Sequence, residues 1–526
     1  MFLLSSLFLL FVFATPVMTT SLSTKLPLIS RALFCQSFPN KCWQQTIRRS
    51  QNKAKIGQPR MSLTSSVYPI NSTSVSNDDV DSFSQKILHS SSSDQSQQSH
   101  EPQSYHYSTV KEKRRRKLGL AKAVDRGHSI TYQPAGTDGR SFQALSGLPT
   151  DLKNFIVLGI ESSCDDTGAA IVHCNGTILG EALASQHEIH QAWGGVVPGL
   201  AREAHQANLE SVIQLALQRA GLASVSQVDA IAVTVGPGLE ICLRVGCNRA
   251  KELALEYNKP FVGVHHLEAH ILMARLPTQM DGTTTSEGTI KPTCNVRAME
   301  FPFLALLVSG GHCQILNCRG IGNYSILGGT VDDSLGEAFD KTARLLGLPV
   351  GGGGGPAMER LAKHGDPSAI PLSVPLQGRK DLDFSYSGLK SNVKRAVDRL
   401  IAERGVESVD EFSDQDKANI AASFQNVAIK HVEQRLKRAM EQMEQEGIRT
   451  LAVVGGVAAN QELRSRLERL CCEREEPWTM FVPPPRLCTD QGTMSAWAAV
   501  ERLQMGSSDD PHTQEVYARF PFAIVN

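Results

Sequence analysis

The N-terminal apolar run of this 526-residue chain, Phe2 to Phe13, is about 12 residues long, where a bilayer span needs about 20. Surplus charge is missing as well: 53 basic side chains face 53 acidic ones. Acids are absent from residues 1–77, which hold eight Lys/Arg. Residues 78–153 hold eleven basic and nine acidic residues, so from Asn154 onward 34 basic residues meet 44 acidic. A nonspecific nucleic-acid coat needs a surplus of cations and is excluded; any nucleic acid bound here must meet a local patch. None of the 12 cysteines forms a CxxC pair, and the chain is long enough to bury a core without staples. Reduced thiols in a reducing compartment are expected. Neither the P-loop nor the GxGxxG fingerprint occurs. A content of 41% hydrophobic and 20% charged residues excludes wholesale disorder.

What is present divides unevenly. Residues 1–77 join the apolar start to a Ser-bearing, cationic, acid-free stretch, as in a removable organelle-targeting segment. A mitochondrion is expected, with a plastid as the alternative. Residues 78–153 read as a low-complexity linker, expected to be disordered and left out of the fold. Its run 111–117, KEKRRRK, is either a nucleic-acid arm or a solvated tail. From Asn154 on, strands alternate with helices, which predicts an α/β fold. Strands are predicted at 155–160, 230–235, 260–264 and 303–308, and helices at 204–220 and 245–257. The Asn175-Gly176 pair predicts a type I′ hairpin. A first lobe at 154–276, an exposed Thr/Gly/Pro-rich insertion at 277–300, a second lobe at 301–505 and a tail at 506–526 follow.

Three glycine-bearing turns end predicted strands: 159–168 (GIESSCDDTG), 307–311 (LVSGG) and 453–460 (VVGGVAAN). Glycine lets backbone N–H groups approach phosphate oxygens, and a following helix adds partial positive charge. Three such turns favour a nucleotide or phosphoanhydride between two lobes. In His265-His-Leu-Glu-Ala-His270, His266 and His270 are spaced i, i+4, so on a helix they share a face and suit one metal. Glu268 stands two residues after His266, not one as in a zincin, and points away from that face. Asp490 precedes a predicted helix at 493–503 and either caps it or completes the ligand set. Two His and one Asp suit Fe²⁺ or Zn²⁺ and leave open positions.

Asp340 lies on the polar side of a predicted helix at 334–346. The five glycines 351–355 that follow either hug a ligand or form a surface loop. After Phe384-Ser-Tyr-Ser-Gly-Leu-Lys390 a helix carries Lys390, Lys394, Arg395 and Arg399 on one side, which is a solvated face or a phosphate-backbone patch.

The motifs GIESSCDDTGAA, GGVVP, GPGL, HHLEAH, LLVSGGH, GEAFDK, GGGP, FSYSGLK, GGVAAN and CTDQG, in that order across 154–505, resemble those of the tRNA N6-adenosine threonylcarbamoyltransferases, most closely the organellar branch. The resemblance implies a two-lobed fold of the actin, hexokinase and Hsp70 type with ligand in the interlobe cleft. It implies transfer from threonylcarbamoyl-AMP to N6 of adenosine 37 in tRNAs reading codons that begin with adenine, with release of AMP. Carried over by motif, the divalent metal falls to His266, His270 and Asp490. Substrate contacts fall to Leu307, Val308, Ser309, Gly310, Gly311, Asp340, Gly355, Glu359, Ala459, Asn460 and Thr489. A homodimer and a functional link to a threonylcarbamoyl-AMP synthase go with this reading; a membrane does not. The sequence departs from the family pattern at Gln491, Gly199 and Glu203, and in its longer glycine run. The competing readings are a small-molecule kinase on the same fold, a metalloprotease, and a non-catalytic nucleotide-binding module.

Overall fold

A computed structural model describes residues 67–68, 142–277, 299–348, 353–521 and 524–525, all within one unit, Ser62–Asn526. The segment predicted to target an organelle (except for 67–68), the basic run 111–117 and nearly all of the predicted 277–300 insertion lie outside the described residues.

Two six-stranded sheets repeat one plan. In the first, β1 (Val67–Tyr68), β2 (Ile156–Glu161), β3 (Asp166–His173), β4 (Ile178–Ser185), β5 (Ala230–Gly236) and β6 (Phe261–His265) lie in the order β1-β4-β3-β2-β5-β6. The second holds β7 (Phe303–Val308), β8 (Cys313–Gly320), β9 (Asn323–Gly329), β10 (Thr450–Val454), β11 (Thr479–Phe481) and β12 (Ile524–Val525), in the order β11-β10-β7-β8-β9-β12. Each sheet is an antiparallel meander of three strands whose first strand pairs in parallel with a fourth, and the fourth with a fifth. That duplication of one strand order agrees with the two-lobed fold predicted from the motifs. The central strands β5 (AIAVTVG) and β7 (FLALLV) are buried at every position, as strands covered on both faces must be.

The first lobe carries α1 (His187–Ala192), α2 (Pro198–Arg219), α3 (Glu240–Glu256) and α4 (His266–Leu272). The second carries α5 (Leu335–Leu345), α6 (Gly354–Ala362), α7 (Ser387–Arg404), α8 (Asp414–Gln445) and α9 (Gln461–Cys472). The last helix, α10 (Gly492–Gln504), corrects the predicted boundary at 505. It lies across β2 and β3 of the first sheet, so closely that a Cβ on Gly159 would sit 2.3 Å from Ala496 N. Met494, Trp497, Val500 and Leu503 are buried there, each worth about 1.5–3 kcal/mol. From β2 to α10 the chain therefore crosses between lobes twice, outward after α4 and back just before α10, and β12 makes a third passage at the C-terminal end. Leu267 and Ile271 of α4 pack with the second sheet, and Ala269 and Leu272 with the first.

Further corrections concern the ends and one turn. Residues 142–153 are not outside the fold: Ser146 Oγ accepts Phe261 N at 2.8 Å and Leu145 N donates to Ser508 O. The 506–526 stretch is no separate tail. Asp509 N donates to Phe261 O and Tyr517 N to Val235 O, and β12 then joins β9 in parallel. The 174–176 hairpin forms, but only Gly176 has positive φ (+90°), and Gly176 N donates to His173 O. It is a type I turn closed by a glycine bulge, with Asn175 Oδ1 accepting Thr177 N.

Candidate metal centre

His266 and His270 stand where the sequence predicts, on one face of α4, their ring centroids 4.8 Å apart. The helix starts there because His265 caps it. His265 Nδ1 accepts Leu267 N at 3.2 Å while Nε2 donates to Phe520 O at 3.1 Å, and burial holds this ring neutral, down to about 3. Asp490 arrives on the returning crossover. Its Oδ1 lies 3.0 Å from His270 Nε2 and 3.8 Å from His266 Nε2. Gln491, not Asp490, is the N-cap residue of α10 and makes no side-chain cap bond, so the capping alternative for Asp490 is not realised. The three candidate ligands thus lie where the chain is about to cross between lobes, on α4 and just before α10.

One ligand atom from each of the three side chains lies within 4.8 Å of the others. Burial acts to raise the Asp490 carboxyl, but His266 and His270 outweigh it and hold the group below the usual range. The His266 imidazole is disfavoured as a cation by burial, yet Asp490 and Glu161 lift it to about 9. Two imidazole nitrogens and one carboxylate facing a common point fit Fe²⁺ or Zn²⁺ by donor type. His312 is near enough to feel the same residues: burial, then His266 and His270, hold it neutral at about 4. Glu268 lies on the other side of the helix, fully buried, accepting Gly322 N and Tyr324 OH at 2.8 Å each. The water-activating carboxylate of a zincin is therefore not at this cluster.

Sequence reasoning missed Glu161, Ser163 and Asp166, which it read only as parts of a glycine turn. Glu161 ends β2 with no exposed surface, and its Oε2 lies 3.7 Å from His266 Nδ1. Ser163 Oγ is 3.3 Å from the same nitrogen. The Asp166 carboxyl is pushed up to about 8 by burial, then by Asp165 and Asp490, and its Oδ1 is buried without a hydrogen-bond partner. The available signal was a Glu-Ser-Ser run directly after a strand that has no polar residue before it.

The other carried-over residues lie around three backbone turns of the second lobe. Ser309 N donates to His312 O at 2.8 Å and His312 N to Ser309 Oγ at 3.1 Å, leaving Gly310 and Gly311 exposed with open space above them. Leu307 and Val308 are fully buried, so only their backbones can serve a ligand. Gly455 has φ +91°, and a Cβ there would lie 2.5 Å from Val308 O. Asp340 Oδ1 accepts Gly354 N at 2.6 Å at the start of α6, one residue from Gly355; burial raises its carboxyl. Glu359 accepts Gln461 N at 3.0 Å. Asn460 caps α9 through Leu463 N and donates to Gln425, beside Ala459. Thr489 is exposed next to Asp490.

The cations of α7 are largely neutralised. Lys390 pairs with Asp333 at 3.0 Å, Lys394 with Asp398 at 3.2 Å and Arg399 with Glu403 at 3.5 Å, while Arg395 bonds Asn392.

Fold and site together define a duplicated α/β protein with a candidate His–His–Asp metal centre on its lobe crossovers. A family model described as "TsaD: tRNA N6-adenosine threonylcarbamoyltransferase" matches residues 177–497. The probable mitochondrial tRNA N6-adenosine threonylcarbamoyltransferase of Arabidopsis thaliana is 43% identical over 362 residues, covering 68% of this chain and 71% of that protein. The enzyme of that name from Rhizobium leguminosarum is 43% identical over 374 residues, covering 69% and 93%. The mitochondrial one from Xenopus tropicalis is 40% identical over 361 residues, covering 67% and 83%. This chain belongs to the tRNA N6-adenosine threonylcarbamoyltransferase family.

Proposed function

We propose that the protein transfers the threonylcarbamoyl group of threonylcarbamoyl-AMP to N6 of adenosine 37 in organellar tRNAs that read codons beginning with adenine. The carrying observation is the convergence of His266, His270 and Asp490 from both lobe crossovers. A C–N bond forms from N6 to the carbamoyl carbon, the bond from that carbon to the phosphate oxygen breaks, AMP leaves with the electron pair, and the N6 proton is released. A divalent cation, Fe²⁺ or Zn²⁺, bound by His266, His270 and Asp490 would supply Lewis acidity toward the carbonyl or phosphate.

The chain's own groups do the rest. Open backbone at Ser309, Gly310, Gly311 and Gly355 receives the donor's phosphate and carbamoyl oxygens; Leu307 and Val308 contribute main chain only. Asp340, Glu359 and Asn460 hold the starts of α6 and α9 in place around the adenosine end, with Ala459 and Thr489 at its rim. His312, kept neutral, offers a hydrogen-bonding ring without adding charge. In this reading the protein works as a homodimer in the mitochondrion, or alternatively a plastid, and a threonylcarbamoyl-AMP synthase supplies the donor. The mitochondrial names of two relatives support the organelle.

The test is to incubate full-length protein with threonylcarbamoyl-AMP and an unmodified tRNA of this class, then digest the tRNA and weigh its nucleosides. Modified adenosine is expected; none under metal-replete conditions would contradict the proposal. A fluorescent fusion of residues 1–77 separates mitochondrion from plastid, and cytosolic label alone refutes both.

A further inference from the structure

We infer that Glu161 is the positioning residue of the metal centre, receiving the Nδ1 side of His266 so that Nε2 faces the metal, and tying that imidazole to the turn at 162–166. The inference rests on His266, His270 and Asp490 being the metal ligands.

Glu161 is placed by three elements at once. Its backbone ends β2; its Oε1 accepts Ser163 N at 2.6 Å; its Oε2 accepts Thr234 Oγ1 from β5. Thr234 Oγ1 is in turn 2.9 Å from Ser495 Oγ on α10, the helix that follows Asp490. A carboxylate with no exposed surface is costly unless donors meet it from fixed positions, and here they do. With no exposed surface, the acid acts through His266 rather than on substrate.

The geometry suits that task. A metal takes one ring nitrogen, and the partner of the other decides which tautomer and orientation the ring adopts. His266 Nε2 is the nitrogen that looks toward Asp490, at 3.8 Å, while Nδ1 looks toward Glu161 at 3.7 Å and Ser163 Oγ at 3.3 Å. The same carboxylate fixes Ser163, whose carbonyl accepts Leu239 N at 2.8 Å at the start of α3. Movement of the 162–166 turn is thereby coupled to the orientation of one metal ligand. Glutamine at 161 would keep the volume but offer one acceptor oxygen in place of two, so an amide NH₂ must face either Ser163 N or the Thr234 and His266 side.

The test measures Zn²⁺ affinity of the full-length protein by chelator competition, with the visible spectrum of the Co²⁺-substituted protein and the melting temperature of the metal-free protein. Glu161→Gln should bind Zn²⁺ roughly 10- to 100-fold more weakly and alter the Co²⁺ spectrum. Glu161→Ala should do so more strongly, and the near-isosteric Gln variant carries the test if the Ala variant does not fold. Wild-type affinity and spectrum in Glu161→Gln, with only a lowered melting temperature, overturn the inference and leave Glu161 a fold residue. Wild-type Zn²⁺ binding in His270→Ala would instead remove the metal reading itself, and this inference with it. Loss in His270→Ala beside no change in Glu161→Gln overturns the inference alone.

Discussion

The two candidate sites, the His–His–Asp cluster and the glycine turns of the second lobe, are built by opposite means. At the lobe crossovers the proposed ligands are side chains already held in place by their neighbours: His265 fixes the helix start, Glu161 lies beside His266, and Asp490 is held by two imidazoles. At the turns of the second lobe the side chains step aside. Gly310 and Gly311 face open space, and Gly455 uses positive φ to let the backbone pass Val308. Binding a small cation needs fixed directions, whereas cradling an anhydride needs main-chain amides with nothing in front of them. Damage to the first site should therefore abolish chemistry with the fold kept, while damage to the second should be graded by backbone strain.

The largest effect expected is from His270→Ala. It removes a proposed ligand but little apolar area, so transfer and metal content should both fall to background while stability drops by only about 1–2 kcal/mol. Elemental analysis beside a denaturant melt checks this. At the other site, Gly455→Ala should cost about 1–3 kcal/mol and weaken donor binding, because residue 455 must keep positive φ and its Cβ would meet Val308 O. Gly310→Ala, with open space and ordinary φ, should lie within about 0.5 kcal/mol of wild type. Equal melting temperatures for the two alanine variants would erase the contrast.

A smaller effect concerns the knot between the β9–α5 loop and the FSYSG turn. Asp332 is opposed by partial burial, but accepts bonds from Ser385, Ser387 and the Tyr386 and Ser387 amides, which draw its carboxyl down to about 2. A folded value below the ordinary 3.8 means stability that is complete above about pH 4 and lost as pH falls through about 2. Asp332 is more exposed than buried, so after solvent screening the contribution is about 1 kcal/mol. Asp332→Asn should remove that much at neutral pH and flatten this part of the acid-unfolding profile; an unchanged profile would show the knot to be idle. The smallest effect is expected from Lys394→Ala with Arg395→Ala. With Lys394 already paired to Asp398, tRNA affinity should fall less than about threefold, and the salt slope by less than one per cation removed. A slope change near two would favour the phosphate-patch reading of α7.

Much of this was legible in the sequence. Apolar strands ending in glycine marked both lobes, and the i, i+4 spacing put His266 and His270 on one face. Local pattern could not show that α10 belongs to the first sheet, because nothing in GTMSAWAAVERLQ names the sheet it covers. Nor could it show Glu161 behind His266: the two are far apart in sequence and meet only because β2, β5 and β6 lie side by side. The α7 face kept two readings, solvated or phosphate-binding, because its acids are not all local: Asp333, which pairs with Lys390, comes from another segment. The Asn-Gly signal placed a hairpin correctly but chose the wrong turn, since one added residue lets Gly176 alone carry positive φ.

The central claim is that a divalent cation on His266, His270 and Asp490 is required for transfer to tRNA. The direct measurement strips full-length protein with chelator, refills it with Fe²⁺ or Zn²⁺, and follows bound metal per chain and modified adenosine in a single turnover. Stripped protein is expected to form no product, and product to return in proportion to metal, up to one ion per chain. Full turnover by the metal-free protein would contradict the claim.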